Sequence, residues 1–313
     1  MVVYVGIIGA GVIGTRLANV FKLFPNIKVV SVCDVNESRA SSLASMFERC
    51  TVTTDYQRIL ADPEVHFLYI GVPPSMHRDI AIAAVKAKKN IICEKPLALS
   101  YDDCSLMVSA VSSNAVLAAV NIPFRYSLSV SKLKALLHQG IVGTVKKVEI
   151  VLRYSQWPRS WQPAQWLIGS FEGGALREVG THFYFLLIEL FGPVSKVLSV
   201  VEYPSSGKAE IVAHGIITMA SGLTCTVDLI IGTPGKDENT FHVYGTGGRI
   251  SLVDWFRLIL SRDGGDSFET LNEERNNSEK AMIEDFLAIL SNPIKNSISR
   301  TRLVSFETAA NVQ

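Results

Sequence analysis

The opening segment, residues 2–34, constrains the fold more than any other part of the chain. An apolar run, 2–8, leads into Gly9-Ala10-Gly11-Val12-Ile13-Gly14, and a helix-forming stretch, 15–21, follows directly. In a strand–turn–helix unit the first glycine permits a tight turn, the second lets the backbone approach a pyrophosphate, and the third lets helix and strand pack closely. The helix N-terminus favours the phosphates, since its unpaired N–H groups and its dipole attract negative charge. The segment predicts a dinucleotide-binding fold, with cofactor contacts at Gly9, Gly11, Val12, Ile13 and Gly14.

The acid that follows the second apolar run indicates which dinucleotide is bound. This run, 27–33, ends at Asp34, twenty residues after Gly14. A carboxylate at that distance accepts hydrogen bonds from the adenosine ribose hydroxyls and repels a 2'-phosphate, so it favours NAD. Arg39 follows shortly and could reach a 2'-phosphate. NAD is therefore the predicted cofactor, with NADP the less favoured alternative and Asp34 and Arg39 as the selecting residues.

Length and composition exclude several classes of protein. A chain of 313 residues is long enough for two domains, and 48% apolar with 19% charged residues is typical of globular proteins. The net charge of +1 gives no electrostatic reason to bind nucleic acid or a membrane surface. No uncharged apolar run approaches the roughly 20 residues that span a bilayer. The five cysteines are unevenly spaced without a C-x-x-C pair, which indicates reduced thiols in a cytoplasmic protein, and no metal site is expected.

The order of apolar patterns predicts two domains of the α/β class. Strand and helix patterns alternate up to residue 121, which predicts an N-terminal Rossmann domain, 1–122, with a doubly wound parallel sheet. Its strand at 65–72 is continuously apolar, as in sheets buried on both faces. Beyond it, 123–313 contains alternating runs with hairpin-length connections, which predict an α+β domain with a mostly antiparallel open sheet. A long helix is expected at 175–190 and another at 279–290.

Lys95 is the first candidate for chemistry. It stands between Glu94 and Pro96 at the end of a predicted parallel strand, and ligands of open α/β sheets bind at that edge. Proline constrains the local backbone, and a desolvated ammonium can exchange a proton with a substrate hydroxyl. The alternative is an ordinary surface lysine after a strand.

Glu178 and His182 are the second candidate. Four residues apart on the predicted long helix, they would lie on one face, where the carboxylate can orient the imidazole of a general base. Two alternatives remain: a simple surface pair, or a core histidine, since aromatic residues follow it.

The third candidate is the loop 71–77, expected to pass beneath the nicotinamide, in which His77 could instead cover the next helix.

The segment 156–166 holds three of the four tryptophans and two prolines. Such a composition resists regular structure and suits an aromatic loop over a substrate pocket. The alternative is a loop that packs its tryptophans onto the core of the second domain. The residues concerned are Trp157, Trp161 and Trp166.

Taken together, four segments resemble the glucose-fructose oxidoreductase / inositol dehydrogenase (Gfo/Idh/MocA) family over essentially the whole chain. They are Gly9-Ala10-Gly11-Val12-Ile13-Gly14, Gly71-Val72-Pro73-Pro74-Ser75-Met76-His77, Glu94-Lys95-Pro96-Leu97-Ala98 and Gly173-Gly174-Ala175-Leu176-Arg177-Glu178-Val179-Gly180-Thr181-His182. The resemblance implies a Rossmann domain followed by an open-sheet domain through which a homodimer or homotetramer forms. It implies hydride transfer between NAD and a carbinol carbon of a sugar, cyclitol or similar polyol.

The resemblance also implies residue roles. Lys95 would contact the reacting hydroxyl, His182 would be the acid/base, and Glu178 occupies the place where the family usually has aspartate. Further cofactor contacts are implied at Val72, Pro73, His77, Glu94 and Lys95. Substrate contacts are implied at Lys95, Arg125, Trp157, Trp161, Trp166 and His182.

Two alternatives stay open within this resemblance. One is a carbonyl or imine reductase using the same cofactor. The other is a non-catalytic dinucleotide-binding regulator, which has little reason to keep both Lys95 and His182.

Overall fold

The computed structural model describes residues 2–262, 268–292 and 302–313. The chain divides into two compact units. The first consists of Met1–Pro123 with Ser278–Gln313, and the second of Phe124–Asn277. None of the helices in the described ranges is both long and apolar enough to cross a membrane.

The elements are numbered in chain order. The strands are β1 (Val3–Ile8), β2 (Ile27–Cys33), β3 (Thr51–Thr53), β4 (Phe67–Ile70), β5 (Asn90–Glu94), β6 (Ala118–Asn121), β7 (Val145–Tyr154), β8 (Val194–Glu202), β9 (Val212–Met219), β10 (Thr224–Ile231), β11 (Glu238–Gly245), β12 (Gly248–Val253), β13 (Arg257–Ser261), β14 (Glu269–Asn272) and β15 (Val304–Ser305). The α-helices are α1 (Val12–Phe21), α2 (Glu37–Ala44), α3 (Tyr56–Ala61), α4 (His77–Lys86), α5 (Tyr101–Ser112), α6 (Leu128–His138), α7 (Thr181–Phe191), α8 (Ser278–Ser291) and α9 (Phe306–Ala310).

The first unit is built on a sheet of order β15-β6-β5-β4-β1-β2-β3. Strands β1 to β6 pair in parallel, and only β15 joins antiparallel. This confirms the predicted Rossmann fold. Strand β4 is buried along its whole length, as its apolar sequence indicated, although it spans Phe67–Ile70 and not all of 65–72. The carboxyl ends of β1, β4 and β5 lie side by side, which places the glycine turn, the loop after Ile70 and Lys95 along one sheet edge.

Side-chain caps start several helices of this unit. Asn36 accepts a hydrogen bond from the backbone of Arg39 at the start of α2, and Ser100 accepts one from Asp103 at the start of α5. Both residue types are favoured N-caps because their side-chain oxygen satisfies an otherwise unpaired N–H group. Helix α1 begins differently: Gly11 occupies its N-cap and supplies no side chain.

The second unit is built on a sheet of order β14-β13-β12-β11-β7-β10-β9-β8. Its pairs are antiparallel except β7 with β10, which run parallel from Val148 opposite Cys225 to Tyr154 opposite Ile231. The predicted mostly antiparallel sheet is therefore confirmed. One face is apolar and carries the core, which includes Ile150, Leu229 and Phe241.

The structure divides the chain differently from the sequence-based boundaries near its end. The second domain was expected to continue to residue 313, but 278–313 lie with the first unit. There Phe286 of α8 packs on Phe67 with ring centroids 5.0 Å apart, and β15 adds to β6. The amphipathic pattern of α8 predicts that one face is buried, but it does not predict which of the two units that face packs against.

Candidate active site

The glycine turn after β1 leaves one side open. Gly9 has a φ of +103°, which strains any other residue. A Cβ on Gly9 would run into the Gly71 carbonyl, and a Cβ on Gly14 would collide with the Gly9 carbonyl. A Cβ on Gly11, by contrast, would meet nothing within 4 Å. The first and third glycines are thus required by packing, whereas the space over Gly11 is free for a ligand.

Asp34 is bound to the turn it was predicted to serve. Its Oδ2 accepts a hydrogen bond from the Ala10 N–H at 2.8 Å, and its Oδ1 accepts one from the Asn36 N–H at 2.8 Å. Arg39 also donates to Oδ1, from Nε at 3.3 Å and Nη2 at 3.1 Å. Since the arginine occupies Oδ1, the second oxygen keeps acceptor capacity for a ribose hydroxyl.

His77, a predicted cofactor contact, is fully buried. Its Nδ1 lies 2.9 Å from the Pro96 carbonyl oxygen and its Nε2 lies 2.9 Å from that of Val72. Burial lowers the pKa of the imidazole, and a neutral ring can donate to only one of these carbonyls. His77 therefore ties the loop after β4 to the segment after β5.

Glu94 points into the first unit and not toward an open edge. Tyr69 donates to its Oε1 at 2.6 Å, and the Asn121 amide donates to the same oxygen. The Lys95 N–H lies 3.3 Å from Oε2. Burial raises the pKa of this carboxyl, while these hydrogen bonds and the Lys95 charge act against that rise. The cofactor contact at Glu94 remains a prediction. Lys95 follows β5 at the sheet edge and is only partly buried.

Glu178 and His182 do not share one regular α-helix. Residues Leu176–Gly180 form a π-helical turn, and α7 starts only at Thr181. The expected four-residue spacing therefore does not place the two side chains as in an α-helix. Single π-turns within helices are frequent at functional sites.

The contacts of Glu178 lead toward the tryptophan loop. Its Oε1 accepts a hydrogen bond from Gln162 Nε2 at 3.1 Å and lies 3.7 Å from Arg159 Nη2. His182 contacts aromatic rings, edge to face, with centroids 6.0 Å from Phe124 and 5.4 Å from Trp255. These contacts of Glu178 tie it to the loop 156–166, and its role in orienting His182 remains a prediction.

Arg159 organises that loop. Its guanidinium lies 4.7 Å from the ring centroid of Trp161 and 5.7 Å from that of Trp157. The Trp157 indole N–H donates to the Leu167 carbonyl at 3.0 Å, so this ring is fixed and half-buried. Trp161 is 48% exposed and Trp166 is partly exposed. Of the three tryptophans, Trp161 presents most surface for a ligand.

Arg125, an implied substrate contact, is engaged within the second unit. Its Nε lies 3.2 Å from Glu189 Oε1, and its guanidinium lies 5.9 Å from the ring centroid of Phe185. These contacts support a packing role on α7.

Sequence reasoning missed four site residues: Tyr69, Asn121, Arg159 and Gln162. Tyr69 and Asn121 stand near the ends of predicted strands adjacent to that of Glu94, so a search for polar residues at neighbouring strand ends would have found them. Arg159 and Gln162 carried no comparable signal, because their contacts depend on the path of an irregular loop.

Two family models match the chain. The model described as "Oxidoreductase family, NAD-binding Rossmann fold" matches residues 3–122, and the model described as "GFO/IDH/MocA C-terminal domain" matches residues 130–251. Levoglucosan dehydrogenase of Pseudarthrobacter phenanthrenivorans is 28% identical over 79% of this chain and 72% of that protein. An uncharacterized oxidoreductase, YrbE, of Bacillus subtilis is 32% identical over 49% of this chain, and the match spans 45% of that protein, less than half its length. A solved structure of levoglucosan dehydrogenase in complex with NADH has a TM-score of 0.84 at 23% identity, covering 100% of this chain and 94% of that chain, which shows a common fold.

Proposed function

Because the chain belongs to the GFO/IDH/MocA oxidoreductase family, with its NAD-binding Rossmann domain, we propose that it transfers a hydride between NAD and a carbinol carbon of a sugar, cyclitol or related polyol. Matched relatives carry the names levoglucosan dehydrogenase, myo-inositol 2-dehydrogenase and D-apiose dehydrogenase, and each name denotes a polyhydroxylated substrate. These names support the substrate class but not one substrate.

One observation in the first unit carries the proposal. The sheet order β5-β4-β1-β2 places Lys95, the loop after β4, the glycine turn and Asp34 along consecutive strand ends. Neighbouring strands are about 4.8 Å apart, so this row extends over roughly 14 Å. An extended dinucleotide suits such a row, with its adenosine ribose at Asp34, its pyrophosphate over Gly11, and its reactive end toward β4 and β5.

The residues present fit NAD. The open space over Gly11 and the N-terminus of α1, which no side chain caps, suit a pyrophosphate. Asp34 offers Oδ2 to a ribose hydroxyl, and its negative charge disfavours a 2'-phosphate. NAD, when bound, supplies the acceptor or donor of the hydride.

Within the proposal, Lys95 donates a hydrogen bond to the reacting hydroxyl oxygen and stabilises negative charge that develops there. His182 accepts the hydroxyl proton and returns it in the reverse direction. General acid/base catalysis of this kind accelerates a reaction roughly 10²- to 10⁴-fold. Glu178 acts through Arg159 and Gln162 on the position of the tryptophan loop, and Trp161 is the proposed substrate contact in that loop.

The test combines turnover with cofactor binding. Purified protein is incubated with NAD and a panel of levoglucosan, myo-inositol and aldoses, and nicotinamide absorbance is followed. Lys95→Met and His182→Ala should lower kcat by about 10²-fold or more, while the rise in melting temperature caused by NAD is retained. His138→Ala, on the exposed end of α6, is the control. Binding of NAD without turnover of any substrate in either direction would favour the regulator, and turnover of carbonyl compounds with NADH alone would favour the reductase.

We also propose that the second unit pairs with a second copy of the chain through its sheet. Strand β8 ends the sheet order and exposes apolar side chains, with Leu198 at 55%, Val200 at 74% and Ile216 on β9 at 46%. An apolar surface of this kind typically marks a protein contact. Light scattering of the wild-type protein and of Leu198→Glu/Val200→Glu tests this: the variant should be monomeric, and a wild-type monomer would overturn it.

A cytoplasmic location is proposed as well, because the five cysteines are free thiols in the structure. The net charge of +1 gives no electrostatic reason to expect nucleic acid, and the sugar or polyol substrate is the proposed partner.

A further inference from the structure

Three polar side chains meet inside the first unit at the ends of three adjacent strands. Tyr69 comes from β4, Glu94 from β5 and Asn121 from β6, and all three are buried. The register pairs Glu94 with Asn121 directly, and Tyr69 with Ile92 one strand over. Tyr69 Oη and Asn121 Nδ2 both donate to Oε1 of Glu94. This set of three residues is called the Glu94 network below.

The Glu94 network is built for a carboxylate. The described donors to Glu94 are the Tyr69 hydroxyl and the Asn121 amide on Oε1 and the Lys95 N–H on Oε2. Hydrogen bonds to an ionised acceptor are stronger than those between neutral groups. The positive charges of Lys95 and Arg16 lower the pKa of Glu94 against the effect of burial. The neighbouring Cys93 thiol contributes to raising the pKa of Tyr69. A buried carboxyl is thus held by three donors directly beside Lys95.

The surroundings of the network carry a stability cost. Asn121 commits its amide nitrogen to Glu94, while its buried Oδ1 has no hydrogen-bond partner among the described residues. A buried acceptor without a partner is destabilising. In addition, a Cβ on Gly71 would come within 2.7 Å of Tyr69 Cε1, so the ring fits only beside a glycine. Such costs are typical of functional positions, where a sequence departs from what packing alone favours.

Hydrogen bonds anchor the backbone on both sides of the Lys95 side chain. Its N–H faces the Glu94 carboxylate, and the carbonyl of the next residue, Pro96, contacts His77. Because Glu94 itself is anchored to β4 and β6, a change at Tyr69 or Asn121 moves the carboxylate that faces Lys95.

We propose that Tyr69 and Asn121 are positioning residues for Lys95, acting through the carboxylate of Glu94. This inference rests on the role proposed above for Lys95. The network holds the Glu94 carboxyl that accepts the Lys95 N–H, and so fixes the backbone from which the lysine side chain starts. Neither Tyr69 nor Asn121 needs to touch substrate or cofactor for this.

The first test is kinetic. Tyr69→Phe removes one donor at nearly constant volume, and should lower kcat about tenfold with KM for the polyol and the NAD-induced thermal shift nearly unchanged. Since the lost hydrogen bond from Tyr69 favoured the ionised form of Glu94, the acidic limb of the pH–rate profile should move to higher pH. Asn121→Ala is the second variant. Tyr4→Phe, near the amino end of the adjacent strand β1 and outside the Glu94 network, is the matched control.

A double-mutant cycle separates positioning from general loosening. In the Glu94→Gln background, Tyr69→Phe should change kcat by less than about twofold, because the carboxylate it acts on is gone. Equal, multiplicative effects of the two substitutions would overturn the proposal. So would a Tyr69→Phe variant that matches Tyr4→Phe in kcat and pH profile.

A second readout does not depend on turnover. Acetylation of Lys95 by limiting acetic anhydride, followed by peptide mass spectrometry, should be several-fold faster in Tyr69→Phe and Asn121→Ala, because fewer contacts hold the lysine. Rates at other lysines and in Tyr4→Phe should match the wild type. If the wild-type protein oxidises no polyol, the proposed function fails. The labelling rates still test whether Tyr69 and Asn121 position Lys95. Unchanged Lys95 labelling in both variants overturns it.

Discussion

Arg39 donates two hydrogen bonds to one oxygen of Asp34, from Nε at 3.3 Å and from Nη2 at 3.1 Å. The arginine that could have read a 2'-phosphate is therefore bound to the acid that excludes one. The Arg39 side chain is 55% exposed and that of Asp34 is 8% exposed, so solvent screens the pair from the arginine side and its contribution to folding is small. The Asp34–Arg39 pair instead affects the choice between NAD and NADP.

We predict that Asp34→Asn weakens NAD binding about tenfold and admits NADP, since the repulsive charge is lost and Arg39 is released. Asparagine keeps an oxygen for the Ala10 N–H, so the turn survives. Calorimetric titration with NAD and NADP measures both affinities.

Arg39→Ala and the double variant complete this test. Arg39→Ala alone should still reject NADP. Asp34→Asn with Arg39→Ala should bind NADP more weakly than Asp34→Asn alone, and equal NADP affinities would show that Arg39 does not bind the phosphate.

The glycine turn allows a sharper separation of folding from binding. Gly14→Ala places a Cβ against the Gly9 carbonyl, so we predict a lower melting temperature without any ligand. Gly11→Ala meets nothing within 4 Å and has an ordinary φ of −75°, so the apo protein should melt as the wild type does. Its added methyl fills the space proposed for the pyrophosphate, and the NAD-induced shift should disappear. A Gly11→Ala variant that keeps the full shift would contradict the proposed cofactor position.

The sequence predicted what depends on local geometry. The glycine turn, Asp34 and the Lys95 strand end follow from spacing within one strand–turn–helix or strand–loop unit, and the structure places them as expected along one sheet edge. The partners of the Glu94 side chain were not predicted, because Tyr69 and Asn121 lie 25 and 27 residues away in the chain.

The regular helix predicted at 175–190 was wrong around Glu178 for a different reason. Spacing arguments assume 3.6 residues per turn, and the π-helical turn at Leu176–Gly180 removes that assumption. Its actual partner Arg159 lies in an irregular loop, whose path follows from long-range packing and not from periodicity.

The Arg159–Glu178 pair is nearly buried, with side-chain exposures of 12% and 13%, so its loss should be costly. Removing one member of a buried pair leaves the other charge uncompensated, at about 3 kcal/mol. We predict that Glu178→Gln destabilises the second unit by this order of magnitude. All four tryptophans belong to this unit, so their fluorescence during urea unfolding reports the change directly.

Two further variants make that measurement decisive. Arg153→Ala breaks the more exposed ion pair between Arg153 on β7 and Glu238 on β11. This substitution should lower the free energy of unfolding by less than about 1 kcal/mol. Arg159→Met combined with Glu178→Gln removes both charges and should recover part of the loss. Similar costs for Glu178→Gln and Arg153→Ala would show that the pair behaves as a surface pair.

His242 should make the second unit sensitive to acid. Its Nδ1 lies 2.7 Å from Ser251 Oγ, and burial, aided by Arg249 and Lys147 against Glu149, lowers its pKa from 6.5 to about 4. The folded state therefore keeps the ring neutral where the unfolded chain protonates, so the contribution of His242 to stability is complete above pH 6.5 and is lost as pH falls from 6.5 toward 4. At pH 5 the loss from this group is up to about 2 kcal/mol. We predict that His242→Gln reduces the fall in unfolding free energy between pH 7 and pH 5 by this amount, measured by tryptophan fluorescence in urea. His138→Gln on the exposed end of α6 should fall as steeply as the wild type, and a wild-type slope in His242→Gln would mean that the imidazole is protonated in the folded protein.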